Sequence, residues 1–455
     1  MPRDMANEES PGFRQGCGVH EKSFGKARMT QAPDWYQAGM PHIWLPYAQM
    51  QTTLPPLPVK ATQGTRIQLA DGRILIDGIA SWWTACHGYN HPVLLQALTE
   101  QAKLMPHVMF GGLVHEPALR LARRLADLLP GDLSHVFFSD SGSVAVEVAM
   151  KMAVQYWLNR GERGRNHFLS FRFGYHGDTF ATMAVCDPDE GMHKHFSDVL
   201  MPQTIADLPR GEEGEAVFAK LLEIEAGKLA GIIVEPLVQG AGGMVFHDPS
   251  TLQILRRLAD QHGLLLIFDE IFTGFGRTGS MFACEAAAVV PDIITLSKAL
   301  TGGTLPLAAT VASTRIFEAF LSEKDIHALM HGPTFMANAL ACAVANASLD
   351  LFASELRLEQ VARIALWLEQ GLAPCRNLPG VCDVRVKGAI GVVELDWIAD
   401  LKGLKQALLA QHVWIRPFGR IVYLTPALTI EEEDLAGLCR AIATVLKQRD
   451  WSQEF

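Results

Sequence analysis

At 455 residues and 49% hydrophobic content, the chain can bury a large core and form more than one domain. A formal net charge of -10 argues against nucleic acid as the main partner, since a phosphate backbone needs an excess of Lys and Arg. No apolar run of membrane-spanning length occurs and the first forty residues hold no apolar segment of the signal-peptide kind, so no membrane is expected as a partner and the cytoplasm is the expected location. The eight cysteines form no CxxC pair or zinc-like cluster, which points to reduced structural thiols and to no metal site.

In chain order, residues 1–40 are polar and aperiodic and are expected to be a flexible extension. From Thr65, TRIQLADGRILIDG reads as a hairpin turning on Asp71-Gly72. Residues 41–79 are assigned to the N-terminal part of a small domain. From 80 to 350, short apolar runs alternate with helical patterns. HVFFS (135–139), HFLSF (167–171), GIIVEP (231–236), GLLLIFDE (263–270) and DIITLSK (292–298) read as strands, and Val144 to Trp157 as an amphipathic helix. Apolar strands separated by helices predict an α/β fold whose central sheet is mostly parallel and covered on both faces. From 351 to 455 the pattern changes to a smaller α+β domain that ends in a helix from Glu431.

Ligands of such sheets bind at the carboxyl ends of strands, and three candidates stand there. Ser141, Gly142 and Ser143 open a helix, where free N–H groups favour an anion such as a phosphate; an ordinary N-cap has the same look. Asp269 ends LLLIFD, and a buried carboxylate needs a cation, which a protonated pyridine nitrogen or a structural ion pair would supply. Lys298 ends DIITLSK, and a buried lysine with a lowered pKa attacks carbonyls. Jointly the three fit one phosphorylated aromatic aldehyde, pyridoxal 5'-phosphate. Tyr175, in Tyr175-His176-Gly177-Asp178, could stack on its ring, and Trp82-Trp83 could be either pocket or core. His87 and His91 have a metal-like spacing, but no carboxylate completes it and Pro92 interrupts the helix.

The stretch from Gly263 to Leu300, GLLLIFDEIFTGFGRTGSMFACEAAAVVPDIITLSKAL, resembles the class III aminotransferases, pyridoxal-phosphate enzymes of fold type I. HGYNHP (87–92), HVMFGG (107–112), DSGSVAVEVAMKMA (140–153), GYHGDTF (174–180), EPLVQGAGGM (235–244), HGPTFMANALACA (331–343) and VWIRPFG (413–419) extend the match from about residue 42 to the C-terminus. The resemblance implies that Lys298 is the catalytic Schiff-base lysine and Asp269 the partner of the ring nitrogen. It implies that Ser141, Gly142 and Ser143 hold the phosphate, that Tyr175 covers the ring, and that His176 and Glu235 belong to the cofactor site. Pro333 and Thr334, with Gly332, would reach the partner subunit's phosphate, which makes a homodimer part of the expectation. Tyr47, Trp82, Trp83, Tyr175, Gly332, Arg416 and Tyr423 would line the substrate pocket, with Arg416 on a carboxylate. The implied reaction moves an amino group from S-adenosylmethionine to 8-amino-7-oxononanoate in biotin biosynthesis; lysine as donor stays open. The alternatives are an ω-amino-acid or diamine transaminase and a non-catalytic cofactor-binding protein. One departure is Leu45-Pro46-Tyr47, where the family usually reads His-Pro-Tyr.

Overall fold

The computed structural model describes residues 32–189 and 193–453. The chain divides into two units, residues 1–53 and 54–455. In the first, the expected extension lies outside the described residues up to 31. Residues 34–39 are not aperiodic but a short exposed helix, Asp34–Gly39, which an acidic first turn favours.

The second unit begins with three antiparallel strands, β1 (Val59–Gln63), β2 (Arg66–Leu69) and β3 (Ile74–Asp77). The hairpin expected around Asp71-Gly72 is β2–β3; β1 was not anticipated. Next come β4 (Leu133–Ser139), β5 (His167–Phe171), β6 (Thr204–Ala206), β7 (Leu229–Val234), the two-residue strands β8 (Val238–Gln239) and β9 (Val245–Phe246), and then β10 (Leu265–Asp269), β11 (Ile293–Leu296) and β12 (Ala308–Ser313). The central sheet has seven strands in the order β4-β12-β11-β10-β7-β5-β6. It is parallel except for β12, which runs antiparallel to both β11 and β4.

Strands β7, β10, β11 and β12 are buried along their whole length, as expected for a sheet covered on both faces. Alternation divides their side chains between two cores. Leu265 and Ile267 pack with Val146, Ala149 and Ala153 of the helix Gly142–Asn159. Leu266 and Phe268 pack on the other face with Leu252, Leu255 and Leu258 of the helix Pro249–Gln261.

The remaining strands are β13 (Val381–Lys387), β14 (Ile390–Leu395), β15 (Val413–Trp414) and β16 (Ile421–Leu424). β13-β14-β16 form an antiparallel sheet against the helix Arg357–Leu372, and the final helix, Glu432–Gln448, packs on that helix. β15 joins β3 in parallel, with Trp414 opposite Asp77, so the N-terminal hairpin and the C-terminal segment share one sheet.

Candidate active site

The carboxyl ends of β4, β5, β7, β10 and β11 meet at one edge of the central sheet, and each carries a polar residue into it. After β4, Ser141 caps the helix Gly142–Asn159 by accepting the Val144 N–H at 3.4 Å. The N–H groups of Gly142 and Ser143 lie ahead of the helical ladder, where an anion would meet them. A Cβ at Gly142 would stand 2.9 Å from the Ile271 side chain, which would have to shift to admit it, so glycine lets this turn pack closely. The Ser143 hydroxyl accepts the Asp178 N–H at 3.2 Å, which ties this turn to the loop after β5.

Asp269 ends β10 and is buried. One of its carboxylate oxygens meets His176 Nδ1 at 2.8 Å; the other accepts from the Ile271 N–H at 3.1 Å and the Thr295 hydroxyl at 3.3 Å. Lys298 follows β11 with φ 45°, in the left-handed region. Burial lowers the pKa of its amine, while Asp269, Glu235 and Asp178 act in the opposite direction. Its Nζ lies 4.7 Å from the Trp83 ring centroid.

Glu235 follows β7. Its two oxygens accept from the backbone N–H groups of Tyr175 and Gly240, each at 2.9 Å, so it braces the loop that carries Tyr175. Burial raises its pKa to about 7, with His176 pulling the other way. The Tyr175 hydroxyl donates to Asp178 at 3.0 Å, and its ring lies nearly parallel to His193, centroids 6.1 Å apart.

Beside Lys298 stands an aromatic wall. Trp83 contacts Phe272 at 4.2 Å and Tyr423 at 6.4 Å between centroids, and Tyr423 contacts Phe418 at 5.4 Å. Burial pushes the Tyr423 hydroxyl up to about 12, with the Trp83 indole beside it acting in the opposite sense. The Arg416 guanidinium lies 4.5 Å from the Trp82 ring centroid. Lys298, Trp83, Tyr423, Trp82 and Arg416 are thus brought into one neighbourhood. Tyr47 lies in the N-terminal unit, where it is exposed. Among the described residues, no hydrogen bond joins Gly332, Pro333 or Thr334 to the Ser141–Ser143 turn; His331 before them is held by Lys151 at 3.2 Å, nine residues into that helix.

Residues 47–446 match the family model described as aminotransferase class-III. The chain belongs to the class III aminotransferases. One relative, from Mycobacterium leprae and named adenosylmethionine-8-amino-7-oxononanoate aminotransferase, is 47% identical over 89% of this chain and 94% of its own. A solved structure of an aminotransferase of the same name from Methanocaldococcus jannaschii superposes with a TM-score of 0.86 at 31% identity, covering 91% of this chain and 99% of that one. An amine transaminase from an uncultivated Pseudomonas species, solved with its pyridoxal phosphate bound, gives a TM-score of 0.82 at 30% identity over 90% of this chain and 98% of that one.

Class III aminotransferases are pyridoxal-phosphate enzymes, and this site fits that cofactor. A helix N-terminus suits its phosphate, a buried carboxylate suits a protonated ring nitrogen, and a lysine of lowered pKa suits its aldehyde. Two residues of the site escaped the sequence reading. Asp178 was visible only as part of the Tyr175-His176-Gly177-Asp178 run. Asp77 hides in an apparently ordinary hairpin end.

Proposed function

We propose that this chain transfers an amino group from S-adenosylmethionine to the ketone of 8-amino-7-oxononanoate, giving 7,8-diaminononanoate for biotin biosynthesis. The observation that carries this reading is the 47% identity, over nearly the whole chain, to a relative named for those two substrates. The convergence of Lys298, Asp269 and Tyr175 at one sheet edge, with Arg416 against the Trp82 ring next to the Trp83 that faces Lys298, supports it chemically.

When bound, pyridoxal phosphate supplies an aldehyde that takes up amines and an electron-poor ring that stabilises negative charge on the adjoining carbon. Lys298 Nζ is the base that removes the proton from the amine-bearing carbon of the donor. In the second half-reaction it returns a proton to the former ketone carbon of the acceptor. A lysine with a lowered pKa suits both directions at neutral pH. Asp269, oriented by His176, would hold the ring nitrogen. Ser141, Gly142 and Ser143 would hold the phosphate, and Tyr175, braced by Glu235, would cover the ring. Arg416 binds the carboxylate of the acceptor with its fork of N–H donors, packed on Trp82. Trp83 and Tyr423 complete the pocket.

The working form is a homodimer in which Gly332, Pro333 and Thr334 reach the partner subunit's phosphate. The exposed Met109, Leu113, Val114, Met330 and Phe335 give that segment and its surroundings the apolar surface an interface needs. Residues 80–350 are assigned to the large domain, and 41–79 with 351–455 to the small one. The seven described cysteines are free thiols, which suits a reducing compartment, and we place the reaction in the cytoplasm.

The deciding experiment is a single-turnover spectrum of the yellow holoenzyme. Loss of the cofactor band with S-adenosylmethionine and its return with 8-amino-7-oxononanoate establishes both half-reactions. A protein that ignores S-adenosylmethionine but is bleached by lysine or a diamine has a different donor.

A further inference from the structure

Ala80, Ser81, Trp82 and Trp83 follow β3 with φ of 45°, 51°, 55° and 74°. Four consecutive non-glycine residues in the left-handed region form a turn that side chains normally forbid. ASWW contains no glycine to ease it, so the surroundings must impose it. Within the turn, the Trp83 N–H reaches the Ile79 carbonyl, and the Thr84 N–H the Ala80 carbonyl, both at 2.9 Å.

The outside hold comes from Asp77, the last residue of β3, buried to 2% exposure. One of its oxygens accepts the Ile79 N–H at 2.8 Å. The other accepts the Ser81 N–H at 3.0 Å and the Tyr89 hydroxyl at 2.6 Å. Tyr89 is itself pinned by paired backbone bonds with Gly64, at 2.7 and 3.0 Å. Burial raises the pKa of the Asp77 carboxyl while Tyr89 and the backbone N–H groups oppose it, so the donors around it are what make the carboxylate tolerable.

The handedness of the turn decides where its side chains go. Trp82 leaves it to lie against Arg416, and Trp83 to lie beside the Lys298 amine. A right-handed turn over the same residues would send the two indoles elsewhere. Asp77 also stands opposite Trp414 in the β3–β15 pair, two residues before Arg416, so one position anchors both sides of the contact.

We propose that Asp77, together with the Tyr89 hydroxyl, is a positioning residue for the substrate wall: its carboxylate locks the left-handed Ala80–Trp83 turn and thereby sets Trp82 against Arg416 and Trp83 against Lys298. This rests on the reading that these residues line the acceptor site. Asp77 acts through the two tryptophans.

The test uses the holoenzyme with Asp77→Asn and Tyr89→Phe, each alone and combined with Ala80→Gly. The amide keeps the size of the carboxyl but offers one acceptor oxygen where three donors converge. The expected result is a rise of about tenfold in KM for 8-amino-7-oxononanoate, with kcat within about threefold and cofactor content unchanged. Adding Ala80→Gly, which enters the left-handed region without a Cβ, brings KM back to within about threefold of the parent. A merely structural carboxylate would lower the melting temperature without this split or this rescue. An unchanged KM in a folded, cofactor-loaded variant overturns the proposal, as does a raised KM that Ala80→Gly leaves where it is. Tyr89→Phe removes one hydroxyl and no charge, and it decides the matter should Asp77→Asn fail to fold. Arg416→Lys is measured alongside. If it leaves the acceptor KM untouched, the substrate-wall reading and the proposal on it both fall; if it raises KM while the Asp77 and Tyr89 variants do not, only the positioning role falls.

Discussion

Gly177→Ala tests the phosphate cradle without touching a polar group. Gly177 has φ +132°, and a Cβ there would stand 2.3 Å from Ser143 Oγ, 2.7 Å from its Cβ and 2.9 Å from its Cα. Turning the serine side chain relieves the first contact but not the last, so the backbone of the cradle must move. The backbone conformation alone costs an alanine about 1–3 kcal/mol. Relief by a shift of Ser143 misaligns one hydrogen bond to a charged phosphate, worth about 1.5–3 kcal/mol. The dissociation constant of pyridoxal phosphate should therefore rise by roughly 10- to 150-fold. Fluorescence titration of the apoenzyme measures it. Gly161→Ala is the control: it lies just beyond the other end of the same helix at φ +86°, with open space around its absent Cβ. That variant should lose stability but keep cofactor affinity. A folded Gly177→Ala protein that binds the cofactor as tightly as the parent would refute the argument.

Three further outcomes are expected. Lys298→Ala should lower the single-turnover rate by at least about a thousandfold, the upper range for a lost acid–base group, and a normal rate in rapid mixing would remove Lys298 from the mechanism. Asp269→Asn should reduce kcat by roughly a hundredfold, as about 2–3 kcal/mol of charge-assisted bonding disappears; steady-state assays within threefold of the parent contradict this. His87 is buried, accepts from Arg357 Nε at 3.0 Å, and is held down to a pKa of about 3 by burial, with Arg357 and His91 adding to the effect. Because the unfolded histidine titrates at 6.5 and binds the extra proton first, its contribution to stability is complete above pH 6.5 and is lost as pH falls toward 3. Melting temperatures of His87→Gln should accordingly fall less steeply than those of the parent from pH 6.5 downward, and parallel curves would count against this account.

The sheet edge was legible because apolar strands announce themselves, and the residues proposed to carry the chemistry stand at or just beyond their ends. Asp269 ends one fully buried strand, Lys298 follows another, and Ser141 precedes a long amphipathic helix. β12 was harder, since AATVAS is short and small-sided, and its antiparallel direction is set by its neighbours β4 and β11. β6 has only three residues, all half-buried. Glu235 reads as a possible ligand in EPLVQG, but only the fold shows both its oxygens occupied by backbone N–H groups. The Ala80–Trp83 turn was beyond reach for a similar reason: nothing in ASWW favours positive φ, and its cause lies in Asp77 and Tyr89. Thr334 and its neighbours cannot be placed at a phosphate from one chain, because their expected target belongs to another copy.

The pairing of β3 with β15 also governs when the pocket can exist during synthesis. Asp77 and Trp414 are direct partners, yet the ribosome makes one long before the other. At typical elongation rates of about 5–20 residues per second, roughly 17–70 s pass between them. The cofactor-facing strands β4 to β12 have all emerged by then, while the hairpin edge that awaits β15 stays open. A nascent or C-terminally truncated chain could thus complete its central sheet and still lack the Arg416 side of the wall. On the proposed role of Arg416, recognition of the acceptor is in this sense a late property of the polypeptide, acquired after the central sheet.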